Sequence, residues 1–190
     1  MRILGGIAKG KRIYTSKGCL IRPTSDKIKK SLFDMICPLE GMTFLDLYSG
    51  SGSIGLEALS RGAKHVVFAE KNVRLKEAIN KNICECGFED KICKIFAIDA
   101  QSAINFLSRR RTKFDVIFAD PPYEKGWVSS TMQLLETSEL LADGGLIILQ
   151  HSCREALNAK LNHLQLINQK KYGDTILSFF RKYPLLEDTL

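Results

Sequence analysis

Thr43-Phe44-Leu45-Asp46-Leu47-Tyr48-Ser49-Gly50-Ser51-Gly52-Ser53-Ile54-Gly55 reads as a strand, a glycine turn and the start of a helix. Phe44, Leu45 and Leu47 make a short apolar run suited to a strand buried on both faces, and an amphipathic segment follows the glycines. A glycine has no Cβ, so the backbone at Gly50 and Gly52 can approach a bound molecule closely. The amides at the following helix N-terminus can meet a polar or anionic group there. The stretch predicts a nucleotide-like ligand.

Downstream, the same alternation continues. Strands are expected at 43–48, 65–70, 92–98, 114–119 and 146–150, with helices at 53–61, 72–86, 100–109 and within 127–141. Asp143-Gly144-Gly145 reads as the turn into the fifth strand. Five strands joined by helical crossovers predict an α/β fold with a mostly parallel sheet covered on both faces. After a short helix near 154–161 the rhythm breaks, because the segments 164–171 and 175–181 are separated only by Tyr172-Gly173-Asp174. That link is too short for a parallel crossover, so the chain should end its sheet in a C-terminal antiparallel hairpin.

Upstream lies a small basic N-terminal extension. Residues 1–22 combine Gly5, Gly6, Gly10 and Gly18 with short apolar pieces, a pattern of short strands or an irregular hairpin that cannot form a core alone. A helix then begins at Thr24 or Ser25, with Ile28, Leu32, Phe33, Met35 and Ile36 on its apolar face and Lys27, Lys29 and Lys30 elsewhere; Pro38 and Gly41 end it. Residues 1–40 hold nine Lys and Arg against three acids, and so carry +6 of the chain's net +7. A basic extension on a near-neutral body suggests that a polyanion is held by the first and acted on by the second, with Lys9, Lys11 and Arg12 among its cationic side chains. The expected division is an extension at 1–40, a catalytic body at 41–184 and a tail at 185–190.

At 190 residues and 45% hydrophobic content, one well-buried domain with a small appendage is expected. No apolar run approaches the roughly 20 residues of a spanning helix, so a soluble, cytoplasmic protein without a membrane partner is expected, a monomer by default. The six cysteines are scattered without a Cys-x-x-Cys pair, which favours free thiols in a reducing compartment and no metal site.

In an open parallel sheet, ligands sit beyond the carboxyl ends of the strands, and acids recur at those ends here: Glu70, Asp99 and Asp120. Glu70 can take two ribose hydroxyls, and Asp99 can accept from the exocyclic amine of a base. Gly50-x-Gly52-x-x-Gly55, with Glu70 lying 20 residues beyond Gly50, matches a dinucleotide fingerprint. Taken alone, that would favour a nicotinamide or flavin enzyme. Asp46 points instead to a ligand bearing an ammonium group.

Asp120-Pro121-Pro122-Tyr123 is the most specific signal. The prolines stiffen the turn, and Pro121 has only a carbonyl acceptor to offer beside the Asp120 carboxylate. Two acceptors fit a planar NH2 group, and Tyr123 offers a ring for stacking on the base that carries it. The run Arg109-Arg110-Arg111 with Lys113 leads into the amino end of its strand, away from the expected crevice, and reads as a solvated face. Lys125 and Trp127 follow the acceptor motif, where substrate contact and helix packing are both open. His151 follows the fifth strand and could line the crevice, but no Ser/His/Asp or Cys/His set is convincing.

Leu45 to Gly52, Glu70, Asp99 and Asp120 to Tyr123 resemble the class I, Rossmann-like S-adenosylmethionine-dependent amino-methyltransferases. Arg2-Ile3-Leu4-Gly5-Gly6, Gly10-Lys11, Arg22 to Asp26, Ser31-Leu32-Phe33 and the terminal Tyr172-Gly173-Asp174-Thr175 resemble more narrowly the bacterial RsmD family. The resemblance implies methyl transfer to a guanine N2, guanine 966, in 16S ribosomal RNA or the small ribosomal subunit. It also implies that Asp46, Ser49, Gly50, Ser51 and Gly52 hold the methionine moiety of S-adenosylmethionine, Glu70 its ribose and Asp99 its adenine, with Arg22, Pro23 and Thr24 closing over it. Asp120, Pro121, Pro122 and Tyr123 would form the acceptor site, and Lys125 would join Lys9, Lys11 and Arg12 on RNA. DNA adenine-N6 and protein glutamine-N5 modification, which use a related acceptor motif, are the alternatives.

Overall fold

A computed structural model describes residues 1–16, 18, 24–123, 126–155, 157 and 161–183. The segments that alternate in the sequence do so in space: α1 (Asp26–Ile36), β1 (Thr43–Leu47), α2 (Ser53–Ser60), β2 (His65–Ala69), α3 (Val73–Cys86), β3 (Cys93–Phe96), α4 (Ala100–Arg109), β4 (Phe114–Ala119), α5 (Trp127–Thr137), β5 (Leu141–Ser152), β6 (Leu164–Tyr172) and β7 (Thr175–Lys182). The helix boundaries follow local chemistry. Ser25 caps α1 by accepting from the Ile28 amide, Asn72 caps α3 through the Arg74 amide, and Gly87 closes α3 in the left-handed region.

The seven described strands join one sheet in the order β3-β2-β1-β4-β5-β7-β6. β3 through β5 are parallel, and β7 inserts antiparallel between β5 and β6. The chain thus builds outward from β1 in one direction and then, through β4, in the other. The carboxyl ends of β1 and β4 therefore lie side by side at the point where the strand order reverses, the place where such sheets bind ligands.

Alternating side chains supply two cores. Phe44, Phe68, Val116 and Phe118 face one side, with α1, α2, α3 and the apolar residues of the N-terminal segment. Leu45, Leu47, Ile117 and Leu149 face the other, with α4 and α5. Each large apolar side chain so buried contributes about 1.5–3 kcal/mol. At Gly55 an added Cβ would lie 2.3 Å from the Phe68 ring, so the third glycine of the fingerprint lets α2 pack tightly against β2.

Several boundaries differ from the sequence reading. α5 lies within the expected range and stops at Thr137, because the Ser138 hydroxyl caps the Leu135 carbonyl and Glu139 turns the chain at φ +53. β5 starts earlier, at Leu141, and absorbs Asp143-Gly144-Gly145 as a bulge between the pairs Phe114↔Leu141 and Val116↔Leu146. The described residues of the N-terminal segment form the irregular hairpin of the two expected alternatives, with the bridge Arg2↔Arg12 at its centre, and Ile3, Ala8 and Ile13 insert into the α1-side core. The helix expected near 154–161 falls largely outside the described residues, and Cys153 and Arg154 form a turn.

Lys29 departs from the expectation that it lies off the buried face of α1. It is sealed in the core beside Glu57, with Nζ donating to the Arg2 carbonyl at 2.6 Å and to Ser53 Oγ at 3.1 Å. Burial holds its pKa below that of an exposed lysine, while Glu57 pulls the other way. Glu57 in turn accepts from the Leu4 and Gly5 amides and from Arg61 Nε, so one buried carboxylate ties the N-terminal segment to α2. Among the described residues no helix is long and apolar enough to cross a membrane.

Candidate active site

Beyond β1 the chain turns sharply. Tyr48, Gly50 and Gly52 all take positive φ, and Gly52 N donates to the Ser49 carbonyl at 2.7 Å. Ser49 Oγ donates to the Asp46 carbonyl at 2.6 Å and accepts from the Ala69 amide at 3.1 Å, pinning this turn to the end of β2. Glu70 then holds the turn from behind: its Oε2 accepts from Gly50 N at 2.9 Å and its Oε1 from Asn72 N at 2.8 Å.

Asp46 sits under the turn, 2% exposed, and accepts from the Gly55 amide in the first turn of α2 at 2.9 Å. Burial pushes its pKa up to about 8; the Gly55 bond opposes that shift, and the nearby charges of Asp120 and Glu70 add to it. A buried carboxyl so disposed gains its charge most readily when a cation arrives.

Asp46, Ser49, Gly50, Ser51, Thr24 and Asp120 share one cleft, whose remaining walls include Met1, Tyr48, Ser53, Ile54 and Phe118. Six residues singled out in the sequence thus meet where β1 and β4 end. Gly52 caps α2 just behind them, and Glu70 is one hydrogen bond behind Gly50. Asp99 is exposed and N-caps α4, its two oxygens accepting from Ser102 N at 2.9 Å and Ser102 Oγ at 2.8 Å; the amide bond is foremost in holding its pKa below the usual range.

On the acceptor side, Pro121 is buried and Pro122 exposed. Asp120 Oδ2 accepts from Gln150 Nε2 at 2.9 Å. Tyr123 is half-buried, with its hydroxyl 3.5 Å from Thr175 Oγ1 on β7. The final hairpin therefore reaches the acceptor motif, and Tyr172 next to its turn meets Ser31 of α1.

Lys9, Lys11 and Arg12 are exposed and do not line the cleft. Their segment adjoins it through Met1, whose carbonyl accepts from Ile13 N at 3.1 Å. Arg22, Pro23 and Lys125 lie outside the described residues. His151 does not face the crevice as expected. It is buried within β5, its Nδ1 3.0 Å from the Ser152 carbonyl and its Nε2 2.8 Å from Ser178 Oγ, and burial lowers its pKa.

Gln150 and Met1 escaped sequence reasoning. The first carried a signal, since it is the polar residue that ends the apolar run Leu146 to Leu149 at a strand's carboxyl end. No such signal marks Met1, which reaches the cleft only through the fold of the N-terminal segment. Among the described residues no cluster of His, Cys, Asp or Glu could hold a metal ion, and the five described cysteines are free.

A family model described as Conserved hypothetical protein 95 matches residues 1–181. YlbH of Bacillus subtilis is 32% identical over 183 residues, which is 96% of this chain and 99% of that protein. Ribosomal RNA small subunit methyltransferase D of Escherichia coli is 28% identical, covering 96% and 90% of the two chains. Among solved structures, Escherichia coli yhhF superposes with a TM-score of 0.83 at 28% identity, covering 96% of this chain and 97% of that one.

Proposed function

Because the chain belongs to the Conserved hypothetical protein 95 family and is an S-adenosylmethionine-dependent RNA methyltransferase, we propose that its acceptor is a guanine N2 amine in 16S ribosomal RNA, guanine 966. The observation that carries this reading is the meeting of Asp120 with Asp46 and Ser49 to Ser51 in one cleft at the β1/β4 reversal. A cofactor turn and an amine-accepting motif then share a wall. The similarity to ribosomal RNA small subunit methyltransferase D of Escherichia coli supports the choice of RNA.

The donor set fits the cofactor. Asp46 is a buried carboxyl whose desolvation an α-ammonium would offset, and Ser49, Gly50 and Ser51 line the cleft beside it, while Gly52 packs against Ile79 behind. Glu70 would take the ribose with the lone pairs that Gly50 and Asn72 leave to it, and Asp99 the adenine amine. Thr24, with Arg22 and Pro23, would close the cleft. When bound, S-adenosylmethionine supplies a methyl group on a sulfonium, activated for attack by nitrogen.

The chain's own task is to present that nitrogen. The Asp120 carboxylate and the Pro121 carbonyl accept hydrogen bonds from the two amine N–H groups and help draw the lone pair out of conjugation with the base, while Tyr123 stacks on the ring. The amine proton lost on transfer departs from the Asp120 side. A guanine inside a stacked helix must first be turned out to enter the cleft. Lys9, Lys11, Arg12 and Lys125 would hold the surrounding phosphates.

The test is transfer of labelled methyl groups to small ribosomal subunits from cells lacking the endogenous activity, with naked 16S RNA, duplex DNA and a release-factor protein in parallel. Label recovered as N2-methylguanine in the ribosomal RNA is the expected result. Label in DNA adenine or protein glutamine would overturn it.

A further inference from the structure

We propose that Gln150 is a positioning residue for methyl transfer: anchored by Thr24, its side-chain amide fixes the Asp120 carboxylate in the orientation that receives the acceptor amine. This rests on the acceptor role given to Asp120 above.

The placement follows from the sheet register. β4 and β5 run parallel with Ala119 opposite Leu149, so Asp120 and Gln150 are each one step past the last aligned pair and stand side by side. Gln150 is only 4% exposed, and a buried amide needs partners at both ends. It has them: Nε2 donates to Asp120 Oδ2 at 2.9 Å, and Oε1 accepts from Thr24 Oγ1 at 3.3 Å. A carboxylate can only accept, so the NH2 end must face Asp120. The carbonyl end is then left to Thr24, whose hydroxyl donates.

The relay has a functional direction. Thr24 lines the same cleft as Asp46 and Ser51, so the lead-in to α1 touches the cofactor side of the cleft and the back of the acceptor group together. Gln150 lies on a strand held by β4 on one side and by Leu177 of β7 on the other, a rigid mount for the loop residue it restrains. Losing this bond changes the angle at which the carboxylate presents its acceptor atoms, and a small misplacement at a reacting centre costs rate steeply.

Two variants separate positioning from mere packing. Gln150→Leu keeps the bulk and removes the hydrogen bond. Gln150→Glu donates to Asp120 while its own carboxyl is protonated and repels it once both are charged. Among the described residues, the charged groups facing this amide are Asp120 after β4 and, one strand farther, Asp46 on β1; Thr24 and Leu177 carry none. Rates are therefore compared as the ratio of variant to wild type at each pH, so that Asp46 cancels.

Single-turnover transfer is measured on unmodified small subunits, with S-adenosylhomocysteine affinity by calorimetry and folding by thermal melt. Gln150→Leu is expected to lose about 10- to 100-fold in rate while cofactor affinity stays within about twofold. The Gln150→Glu ratio is expected to fall at least about tenfold between roughly pH 6 and 8.5, as the shared proton is lost. A Gln150→Glu ratio that is flat across pH overturns the proposal, even if Gln150→Leu fails to fold. Asp120→Asn is run in parallel: full transfer by that variant would sink the acceptor reading itself, a result distinct from a flat Gln150→Glu profile.

Discussion

Lys29 Nζ lies 3.5 Å from Glu57 Oε2, and both side chains are sealed from solvent behind Ser53 at the start of α2. Removing Glu57 leaves Lys29 buried without its counter-charge, whereas removing Lys29 leaves Glu57 with Arg61; loss of a partner from a buried pair costs about 3–5 kcal/mol, the larger cost falling on loss of Glu57. Lys29→Met and Glu57→Leu should each lower the urea midpoint strongly, whereas the double variant should lose less than the two losses added together. Equal damage from the double variant and the sum of the singles would show that the two side chains act independently.

Asp46 makes apo stability depend on pH. Its folded pKa of about 8 stands above the ordinary value of 3.8, so between these the folded state holds a proton that the unfolded state has released. Its contribution therefore weakens as pH rises through that window and levels off above it. Asp46→Asn should remove this slope from the curve of stability against pH. Binding of S-adenosylhomocysteine at pH 7 should also release a proton from wild type and none from Asp46→Asn, read as the buffer dependence of the calorimetric enthalpy.

Asp120→Ala should abolish methyl transfer while S-adenosylhomocysteine still raises the melting temperature, because the carboxylate is assigned to the acceptor and not to the cofactor. Undiminished turnover would refute that assignment.

Gly55→Val should destabilise the fold by about 1–3 kcal/mol through overpacking. The smallest added side-chain atom already meets the Phe68 ring at 2.3 Å. Gly87→Ala, at a position with nothing within 4 Å but φ +80, should cost less. Chemical denaturation of the two variants side by side gives the comparison.

Reversing Lys9, Lys11 and Arg12 to Glu should weaken RNA binding and flatten its salt dependence by about two to three units of log–log slope if each meets one phosphate. Cofactor affinity should stay unchanged, since none of the three lines the cleft. An unaltered slope would place the RNA elsewhere.

The strands and the acid at each strand end were legible in the sequence because apolar runs and glycine turns are local signals. The residues from Asp46 to Gly52 could be read for the same reason. Lys29 was not, since its burial depends on Glu57, 28 residues away on another helix. Gln150 acquires meaning only from the parallel register that sets it beside Asp120. The start of β5 was misplaced because Asp143-Gly144-Gly145 looks like a turn when read alone, and becomes a bulge only once Phe114 pairs with Leu141.

β7, the last described strand along the chain, is not an edge of the sheet but sits between β5 and β6. During synthesis the parallel half can assemble while the backbone of β5 from Ile147 to Ser152 still awaits its partner, Thr175 to Phe180. An open, apolar strand edge invites pairing with another chain. Molecules cut short before Thr175 should therefore self-associate through β5, and ribosome release of the final hairpin becomes the step that makes the nascent protein safe from aggregation.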